Sequence, residues 1–475
     1  MAKTCKELLQ YIALISLDER VIQGISCNSR DIKKDWIFVA IKGVHQNGED
    51  FIHEVLALGA VVISECRSNH PNAYQCVNPA VCLGMLLNEY YEYPSDKLFV
   101  IGITGTNGKT STASLLKQMF EARHQVVTLM GTNGIEIDQE LLSSANTTNG
   151  IMRNLEVFLR SIEQEIPILI MEVSSQAINE NRIAFIRFDV LIYTNITHEH
   201  LDYHKTFIHY QYTKFKARNY LKENGLIILN QDRFELHELF DLRRRGVVTF
   251  GKHGGHLLIE DIELAADHSS FTFDHINFKT NLLSLNCVYN LSACLLLFKV
   301  MNIPLSEQVA IVSKVKPIEG RMEVLRNSTH TFWIDFAHTP AALRILLDFA
   351  KRVSKGKVIT VIGCGGDRDQ DKRHQMGSIA STMSDITIFT EDNSRSEKTE
   401  DIIKAMMINV LNNVIIKGKR EEAIKLAIEI ACENDLIIVA GKGNEQFLIV
   451  NDDKIPYNDK AFIQQCFAGK DGIWK

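Results

Sequence analysis

A short segment of the chain combines the residue types that hold a nucleoside triphosphate. The apolar run 98–103 ends in a glycine-containing loop, residues 104–110, and a helix-compatible stretch, residues 111–122, follows. Glycines let backbone N–H groups approach phosphate oxygens, and the beginning of a helix favours negative charge. A lysine here can neutralise the β- and γ-phosphates, and the following hydroxyl can hold Mg²⁺. The predicted phosphate site consists of Gly105, Thr106, Asn107, Gly108, Lys109, Thr110 and Ser111.

Acidic, amide and basic side chains also stand directly after apolar runs elsewhere. Glu172 follows the apolar segment 168–171, and its carboxylate suits Mg²⁺, which takes one or two carboxylates together with phosphate oxygens. The loops 391–395 and 441–445 each follow an apolar segment and carry acids, an amide and Arg395. Acids suit an ammonium group, and a guanidinium binds a carboxylate through two parallel hydrogen bonds. These loops therefore predict a site for a free amino acid.

Three histidines, His198, His200 and His204, lie within seven residues and suggest zinc by their closeness alone. Their spacing is not a usual structural zinc pattern, and no cysteine or further histidine cluster completes a site. The ten cysteines are scattered without C-x-x-C spacing. That usage indicates reduced thiols and predicts a cytoplasmic protein.

The elements that must position these groups are strand-like apolar segments that alternate with helix-like segments. This alternation predicts mostly parallel sheets covered by helices, with ligands at the carboxyl ends of the strands. We predict an α/β protein of three domains: a substrate domain at 1–92, a central P-loop-type domain with a mostly parallel sheet at 93–320, and a doubly wound α/β domain at 321–475.

Length and composition exclude several classes of protein. A chain of 475 residues is too long for one core, and its 45% apolar and 23% charged content is ordinary for a soluble globular protein. The net charge of −6 gives no general attraction to nucleic acid or anionic membranes. No apolar run reaches the ~18 residues of a membrane span. We expect neither a nucleic-acid nor a membrane partner.

Six motifs occur in an order that resembles one family. The segments TGTNGKTST, MEVSS, HLDYH, GRMEV, GCGGDRD and AGKG are similar to those of the Mur ligases, the amide-forming enzymes of peptidoglycan precursor synthesis, and among them to the tripeptide synthetases. The resemblance implies an ATP-dependent ligase that adds a diamino acid, meso-diaminopimelate, to UDP-N-acetylmuramoyl-L-alanyl-D-glutamate through an acyl phosphate. It also implies a monomer whose partners are small-molecule substrates.

The resemblance assigns roles around ATP. It implies that Lys109 and Arg321 contact the phosphates and that Asn195 and Asn290 lie at the adenine. Asp335 would bind the ribose, and His338 would lie beside the nucleotide. The implied magnesium ligands are Thr110, Glu172, His200 and a carbamate on Lys214, formed from CO₂.

The resemblance also assigns the other two substrates. The residues implied for the uridine-nucleotide substrate are Ser29, His45, Gln46, Asn146, Thr147, Thr148, Ser174 and Arg182. The residues implied for the amino acid are Arg368, Asp392, Asn393, Arg395, Gly441 and Glu445. The chain departs from the family pattern at Gln176, at Asn286-Cys287, at Ser394 in place of proline, and at Asn444 in place of histidine.

Three alternatives remain open at this stage. The first is an ATPase that couples hydrolysis to motion, although no Walker-B-like acidic strand is found. The second is a ligase of the same family that adds L-lysine or another amino acid. The third is a diverged paralogue that acts on another substrate or only binds nucleotide.

Overall fold

The computed structural model describes residues 3–43, 46–144, 146–197, 199–232, 246–410, 414–451 and 453–468. The strands of these residues are β1 Gly24–Ser26, β2 Trp36–Val39, β3 Val61–Ser64, β4 Ala73–Gln75, β5 Phe99–Thr104, β6 Val127–Gly131, β7 Gly134–Ile137, β8 Glu140–Leu142, β9 Ile168–Glu172, β10 Phe188–Tyr193, β11 Leu221–Asn230, β12 Val247–Gly251, β13 Leu257–Leu264, β14 Ser269–Phe273, β15 Ile276–Thr280, β16 Glu323–Arg326, β17 Thr331–Asp335, β18 Val358–Ile362, β19 Ile386–Phe389, β20 Val414–Ile416, β21 Leu436–Ala440, β22 Phe447–Val450 and β23 Asp453–Pro456.

The helices of the same residues are α1 Cys5–Tyr11, α2 Ile52–Ala57, α3 Pro79–Tyr90, α4 Lys109–Glu121, α5 Ile151–Glu163, α6 Ser175–Asn179, α7 Leu201–His204, α8 Phe207–Phe215, α9 Leu285–Val300, α10 Leu305–Val312, α11 Pro340–Val353, α12 Asp371–Met383, α13 Thr399–Met406, α14 Arg420–Ile430 and α15 Asp459–Cys466. Short 3₁₀ turns cover Ser29–Asp31, Gly48–Phe51, Pro94–Lys97 and Lys216–Tyr220. Among the described helices, none has both the length and the apolar character required to cross a bilayer.

The central sheet carries the predicted phosphate loop. Its strand order is β15-β14-β13-β12-β11-β10-β5-β9-β6-β7-β8, and the pairs from β6 through β13 are parallel. Side chains alternate between its two faces: Val100 packs into one core, and Ile101 and Ile103 pack into the other. The predicted α/β class with mostly parallel sheets is confirmed.

Antiparallel hairpins extend this sheet at both edges, and the sequence analysis did not predict them. β7 turns into β8 through Asp138 and Gln139, and β14 turns into β15 through Asp274 and His275, all with positive φ. Both are two-residue turns of the type that asparagine-glycine or aspartate-glycine usually marks. Because neither turn contains glycine, the usual sequence signal is absent.

A second, mostly parallel sheet follows in the order β16-β17-β21-β18-β19-β20. The strands from β17 to β20 are parallel, and β16 joins the edge in the antiparallel direction. Helices α11, α12 and α13 cover one face, and α14 and α15 cover the other. The carboxyl ends of β17, β18, β19 and β21 therefore meet along one edge.

The N-terminal sheet, β1-β2-β3-β4, is parallel and shares a core with the central sheet. Leu83, Leu86 and Leu87 of α3 belong to the same apolar cluster as Ile183 and Phe185. Gly84 faces Ala184 so closely that an added Cβ would lie 2.5 Å from its Cβ. The N-terminal and central sheets are thus packed into one body, whereas the C-terminal sheet has two further cores, one of which also includes Leu283 of the central unit.

Candidate active site

A cavity of about 960 Å³ lies between the central and the C-terminal sheets. The loop after β5 lines one side, and the segments after β17, β18, β19 and β21 line the other. It is the edge where the carboxyl ends of parallel strands collect, as the fold class predicts. Residues from both sheets are therefore needed to form this site.

Two glycines allow the loop between β5 and α4 to take its shape. Gly105 has a φ of 152°, and a Cβ there would lie 1.9 Å from the Thr194 hydroxyl. Gly108 has a φ of 87°, and a Cβ there would lie 2.7 Å from Oδ1 of Asn290. Any larger residue would be strained at these angles and would push the loop away from its neighbours. The two glycines keep the loop tight at the beginning of α4.

The segment after β10 holds this loop from behind. The Asn107 N–H donates to Asn195 Oδ1 at 3.0 Å, and Asn195 Nδ2 donates to the Asn107 carbonyl at 2.9 Å. The Thr106 hydroxyl bonds the Tyr210 hydroxyl at 2.9 Å. Asn195 therefore contacts the phosphate loop itself while it also lines the cavity. Its predicted position at the adenine stays a prediction.

Two lysines converge on the same carbonyl of the loop. Lys109 Nζ and Lys214 Nζ each donate to the Gly105 carbonyl at 2.8 Å, and Lys109 also donates to the Thr106 carbonyl at 2.9 Å. Burial lowers the pKa of Lys109 below its ordinary value. Burial, and then the nearby Lys109 charge, hold the pKa of Lys214 well below its ordinary value. Lys109 lines the cavity, and Lys214 lies behind the loop.

The predicted magnesium ligands Thr110 and Glu172 are in contact. Thr110 Oγ1 donates to Glu172 Oε2 at 3.0 Å, and Thr132 donates to the same carboxylate through its N–H at 2.9 Å and its hydroxyl at 3.1 Å. Glu172 is only 2% exposed. A buried carboxylate beside two hydroxyls at a phosphate loop is an oxygen donor set that fits Mg²⁺.

The other two predicted ligands have contacts elsewhere around the phosphate loop. His200 Nε2 lies 3.8 Å from Glu199, and Lys214 bonds a backbone carbonyl. Among the residues that the structure describes, no group of three or more His, Cys, Asp or Glu side chains is arranged to hold a metal. Thr110 and Glu172 are thus the part of the predicted ligand set that is already assembled.

Arg321 crosses from the C-terminal side to the phosphate loop. Its guanidinium lies 3.4 Å from Thr110 Oγ1 and 4.2 Å from the centre of the Phe336 ring. Burial lowers the pKa of Arg321 and raises the pKa of Asp335. The charge of each group opposes the shift of the other. Asp335 accepts from the Met322 N–H at 2.6 Å and the Ala337 N–H at 2.7 Å.

His338 reaches the central sheet by another contact. Its Nε2 lies 3.0 Å from Glu199 Oε1, and its Nδ1 lies 2.8 Å from the Phe336 carbonyl. Burial alone would raise the pKa of Glu199, but His338, His200 and Lys109 outweigh it and lower that pKa. Arg321, Asp335 and His338 all line the cavity, as does Asn290 of α9.

The residues predicted for the amino acid surround the C-terminal side of the cavity. Asn393 Nδ2 donates to Glu445 at 2.8 Å, and Asp392 lies behind it with its pKa lowered, because Lys442 and Arg420 outweigh the effect of burial. The predicted set that lines the cavity is Arg368, Asp392, Asn393, Arg395, Gly441 and Glu445.

Two guanidiniums of that set lie close together. Arg395 donates to the Gly366 carbonyl at 2.7 Å and to the Asn393 carbonyl at 3.3 Å. Burial and the neighbouring Arg368 charge lower the pKa of Arg395. Arg368 is exposed toward the cavity. Two adjacent cations of this kind suit a carboxylate.

The residues predicted for the uridine-nucleotide substrate fall into separate groups. Asn146, Thr147, Ser174 and Arg182 line the cavity. Thr148 is buried, with its hydroxyl donating to the Glu172 carbonyl at 2.8 Å. Ser29 and Gln46 belong to the N-terminal unit and are not among the residues that line this cavity. His45 lies outside the described residues.

The sequence analysis missed three residues of the site. Glu199 stands directly before the HLDYH segment, and that closeness to a quoted motif is the signal that could have identified it. Lys442 is fully buried and donates to Asn393 Oδ1 at 3.0 Å and Glu445 at 2.8 Å. Lys442 lies in the loop 441–445, but its partner Asn393 is 49 residues away in the chain. Thr132 comes from a turn with no sequence signal.

Family models match the chain in three segments. They are the Mur ligase family catalytic domain at 21–83, the Mur ligase middle domain at 103–298 and the Mur ligase glutamate ligase domain at 320–443. A relative from Aquifex aeolicus, UDP-N-acetylmuramoyl-L-alanyl-D-glutamate–2,6-diaminopimelate ligase, is 34% identical over 98% of this chain and 97% of its own length. The chain belongs to the Mur ligase family. This Mur ligase is an ATP-dependent ligase, and Mur ligases generally use ATP and Mg²⁺.

Further relatives agree with this membership. The enzyme of the same name from Clostridium perfringens is 34% identical to this Mur ligase over 97% of the chain and 98% of its own length. A solved structure of a UDP-N-acetylmuramoyl-L-alanyl-D-glutamate–2,6-diaminopimelate ligase has a TM-score of 0.72 and 26% identity, covering 99% of each chain. The MurF ligase of Thermotoga maritima, solved with ADP, has a TM-score of 0.63 at 19% identity over 88% of this chain and 93% of its own, and it shares the fold.

Proposed function

We propose that this Mur ligase adds meso-diaminopimelate to UDP-N-acetylmuramoyl-L-alanyl-D-glutamate in peptidoglycan precursor synthesis. One observation carries the proposal: the phosphate loop and the paired guanidiniums of Arg368 and Arg395 open into the same cavity. The names of the full-length relatives agree with it. An ATPase that moves a partner has no need of a carboxylate site beside its phosphate loop.

Each substrate has its own part of the cavity in this proposal. ATP lies along the phosphate loop, with Asn195 and Asn290 at the adenine, Asp335 at the ribose and His338 beside the nucleotide. Ser174, Arg182 and the segment 146–148 hold the dipeptide end of the second substrate. Ser29, His45 and Gln46 hold its uridine end in the domain at 1–92. The domain at 93–320 binds ATP, and the domain at 321–475 binds the amino acid.

The reaction proceeds in two transfers. A carboxylate oxygen of the D-glutamate side chain attacks the γ-phosphorus of ATP, which releases ADP and leaves an acyl phosphate. The amine of the diamino acid then attacks the acyl carbon, phosphate leaves, and the amine proton is lost as the amide forms. Lys109 and Arg321 neutralise charge on the phosphoryl oxygens, which is catalysis by placement and electrostatics.

Thr110, Glu172, His200 and a carbamate on Lys214 are the proposed magnesium ligands. Bound Mg²⁺ would neutralise the phosphate charge during both transfers. Lys214 lies beside the loop, and its burial favours the neutral amine, the form that adds CO₂. Its Nζ donates to the Gly105 carbonyl at 2.8 Å.

We further propose a monomer that works in the cytoplasm. A single chain supplies residues from both sheets to the cavity, so the site needs no second copy. All ten cysteines are free, and ATP and the uridine nucleotide are cytoplasmic substrates.

Ligation of the UDP-N-acetylmuramoyl dipeptide with a panel of diamino acids tests the proposal. A guanidinium that faces the distal ammonium of L-lysine repels it, whereas it binds the distal carboxylate of meso-diaminopimelate. A lost charge-assisted hydrogen bond costs ~1.5–3 kcal/mol, so kcat/KM should favour meso-diaminopimelate at least about tenfold.

The Arg395→Ala variant, measured with the same panel, tests whether Arg395 selects the amino acid. It should lose most of the preference while its ATP binding stays unchanged, because Arg395 lies on the far side of the cavity from the phosphate loop. Equal use of both amino acids by the wild type, or an unchanged ratio in Arg395→Ala, would rule out Arg395 as the selecting residue. Ser394 replaces the family proline, so the backbone before Arg395 is less restrained. The wild-type ratio is the decisive measurement, because it shows whether Arg395 is in place to select the amino acid.

A further inference from the structure

A hydrogen-bonded pair, Glu199 and His338, crosses the cavity between the central and the C-terminal sheets. Glu199 follows β10 in the central sheet, and His338 follows β17 in the C-terminal sheet. The Glu199 carboxylate is 10% exposed and lies 3.0 Å from His338 Nε2. Two side chains 139 residues apart are thus joined above the phosphate loop.

His338 is oriented for this contact by its own segment. Its second ring nitrogen, Nδ1, lies 2.8 Å from the Phe336 carbonyl. Both ring nitrogens therefore face an oxygen acceptor, one in the central unit and one in the segment that carries the histidine. A hydrogen bond to an ionised carboxylate is shorter and stronger than one between neutral groups.

The same short segment positions the arginine that reaches the phosphate loop. Phe336 packs edge-on against the His338 ring, with 4.5 Å between ring centres, and its ring also contacts the Arg321 guanidinium at 4.2 Å. Arg321 in turn lies 3.4 Å from the Thr110 hydroxyl. The Glu199–His338 pair and the Arg321–Thr110 contact thus share Phe336 as a neighbour.

We propose that Glu199 is a positioning residue that holds the C-terminal unit closed over bound ATP by pairing with His338. The inference rests on ATP binding, which belongs to the proposed function, but it is independent of the amino acid that is added. Aspartate is shorter than glutamate by one methylene, so from the same backbone position its carboxylate would fall short of His338.

Small-angle X-ray scattering of the full chain with Mg²⁺ and a non-hydrolysable ATP analogue measures closure directly. The wild type should contract on addition of the analogue, and Glu199→Gln, Glu199→Asp and His338→Gln should remain extended. Glu307→Gln, which removes a carboxylate that pairs with Arg123 inside the central unit, is the matched control and should contract like the wild type.

A double-mutant cycle separates a pair from two independent residues. Each of Glu199→Gln and His338→Gln should lower kcat/KM for ATP about tenfold, and the double variant should lower it about tenfold rather than about a hundredfold. Multiplying effects in the double variant, or wild-type contraction and kcat/KM in Glu199→Asp, would overturn the proposal. If the wild type contracts with the analogue but ligates no diamino acid, the proposed function fails and this inference stands.

Discussion

At the scale of single residues, two lysines form hydrogen bonds with the backbone of the phosphate loop. Lys109 uses its ammonium on two carbonyls of its own loop, and Lys214 bonds one of the same carbonyls from behind. A phosphate oxygen carries more charge than a carbonyl, so ATP is expected to draw Lys109 away from these contacts. These contacts hold the Lys109 ammonium close to the position where the phosphates of ATP are expected to bind.

Lys109→Ala should abolish ligation and leave the protein folded. The lysine meets charge that develops on the transferring phosphoryl group, and such contacts contribute ~2–4 kcal/mol to the transition state. The measurement is turnover at saturating substrates, with circular dichroism as the folding control. A variant that retains more than a tenth of wild-type turnover would contradict this role.

Lys214→Ala should be nearly inactive and partly rescued by acetate or another short carboxylate. The added carboxylate would supply the oxygen ligands that the proposed carbamate provides. Lys216→Ala is the matched control, since the Lys216 ammonium lies over the Tyr212 ring at 5.2 Å, and this variant should keep its activity. A plain ammonium at Lys214 in a magnesium–ATP complex would end the carbamate proposal.

At the scale of elements, a buried ion pair supports the loops that form the amino-acid site. Arg420 of α14 and Asp459 of α15 are both 0% exposed and are joined by hydrogen bonds of 2.7 and 2.8 Å. Arg420 also donates to the carbonyl of Ala440, which precedes the loop 441–445, and to that of Glu391, the first residue of the loop 391–395. The helices on the outer face of the sheet therefore set the position of the cavity wall.

Arg420→Met should lower the free energy of unfolding by about 3–5 kcal/mol, because it leaves the Asp459 charge buried without its partner. The double variant Arg420→Met/Asp459→Leu should lose less, since no unpaired charge remains. Urea unfolding followed by circular dichroism gives both values. Equal losses in the single and double variants would show that packing, not charge, is what the pair contributes.

The elements were largely predictable, and the reason is local. The apolar segments at 98–103, 168–171 and 436–440 lie within a residue or two of β5, β9 and β21, because buried parallel strands read as continuous apolar runs. Contacts between distant residues were not predictable in this way. Lys442 lies in a loop whose role depends on Asn393, and Thr132 reaches Glu172 only because β6 and β9 pair.

At the scale of the whole molecule, the three larger sheets of the described residues form two bodies. The N-terminal and central sheets share one apolar cluster, and the C-terminal sheet meets the central unit at the cavity and around Leu283. The motifs indicated three domains, but periodicity within a segment cannot tell which apolar face packs against which. The packing of α3 on residues 183–185 is what joins the N-terminal sheet to the central sheet.

Calorimetry of the ligand-free protein should therefore resolve two unfolding transitions rather than three. Mg²⁺ with a non-hydrolysable ATP analogue should raise the midpoint temperatures of both transitions and reduce the difference between them. The reason is that the ligand binds residues of both bodies and binds only their folded forms. The matched control is the analogue added to Lys109→Ala, which should leave the transitions separate. A single transition without ligand would contradict the two-body description.

The close contact of Gly84 with Ala184 also limits how this gene can recombine with those of relatives. A crossover near Arg321 exchanges a unit whose two cores come almost entirely from its own residues, with Leu283 of the central unit as the buried exception. A crossover near Tyr93 joins an α3 from one parent to the 183–185 segment of another. Because one added methyl group would already collide there, such a chimera inherits a mismatched seam unless both parents have small residues at these two positions.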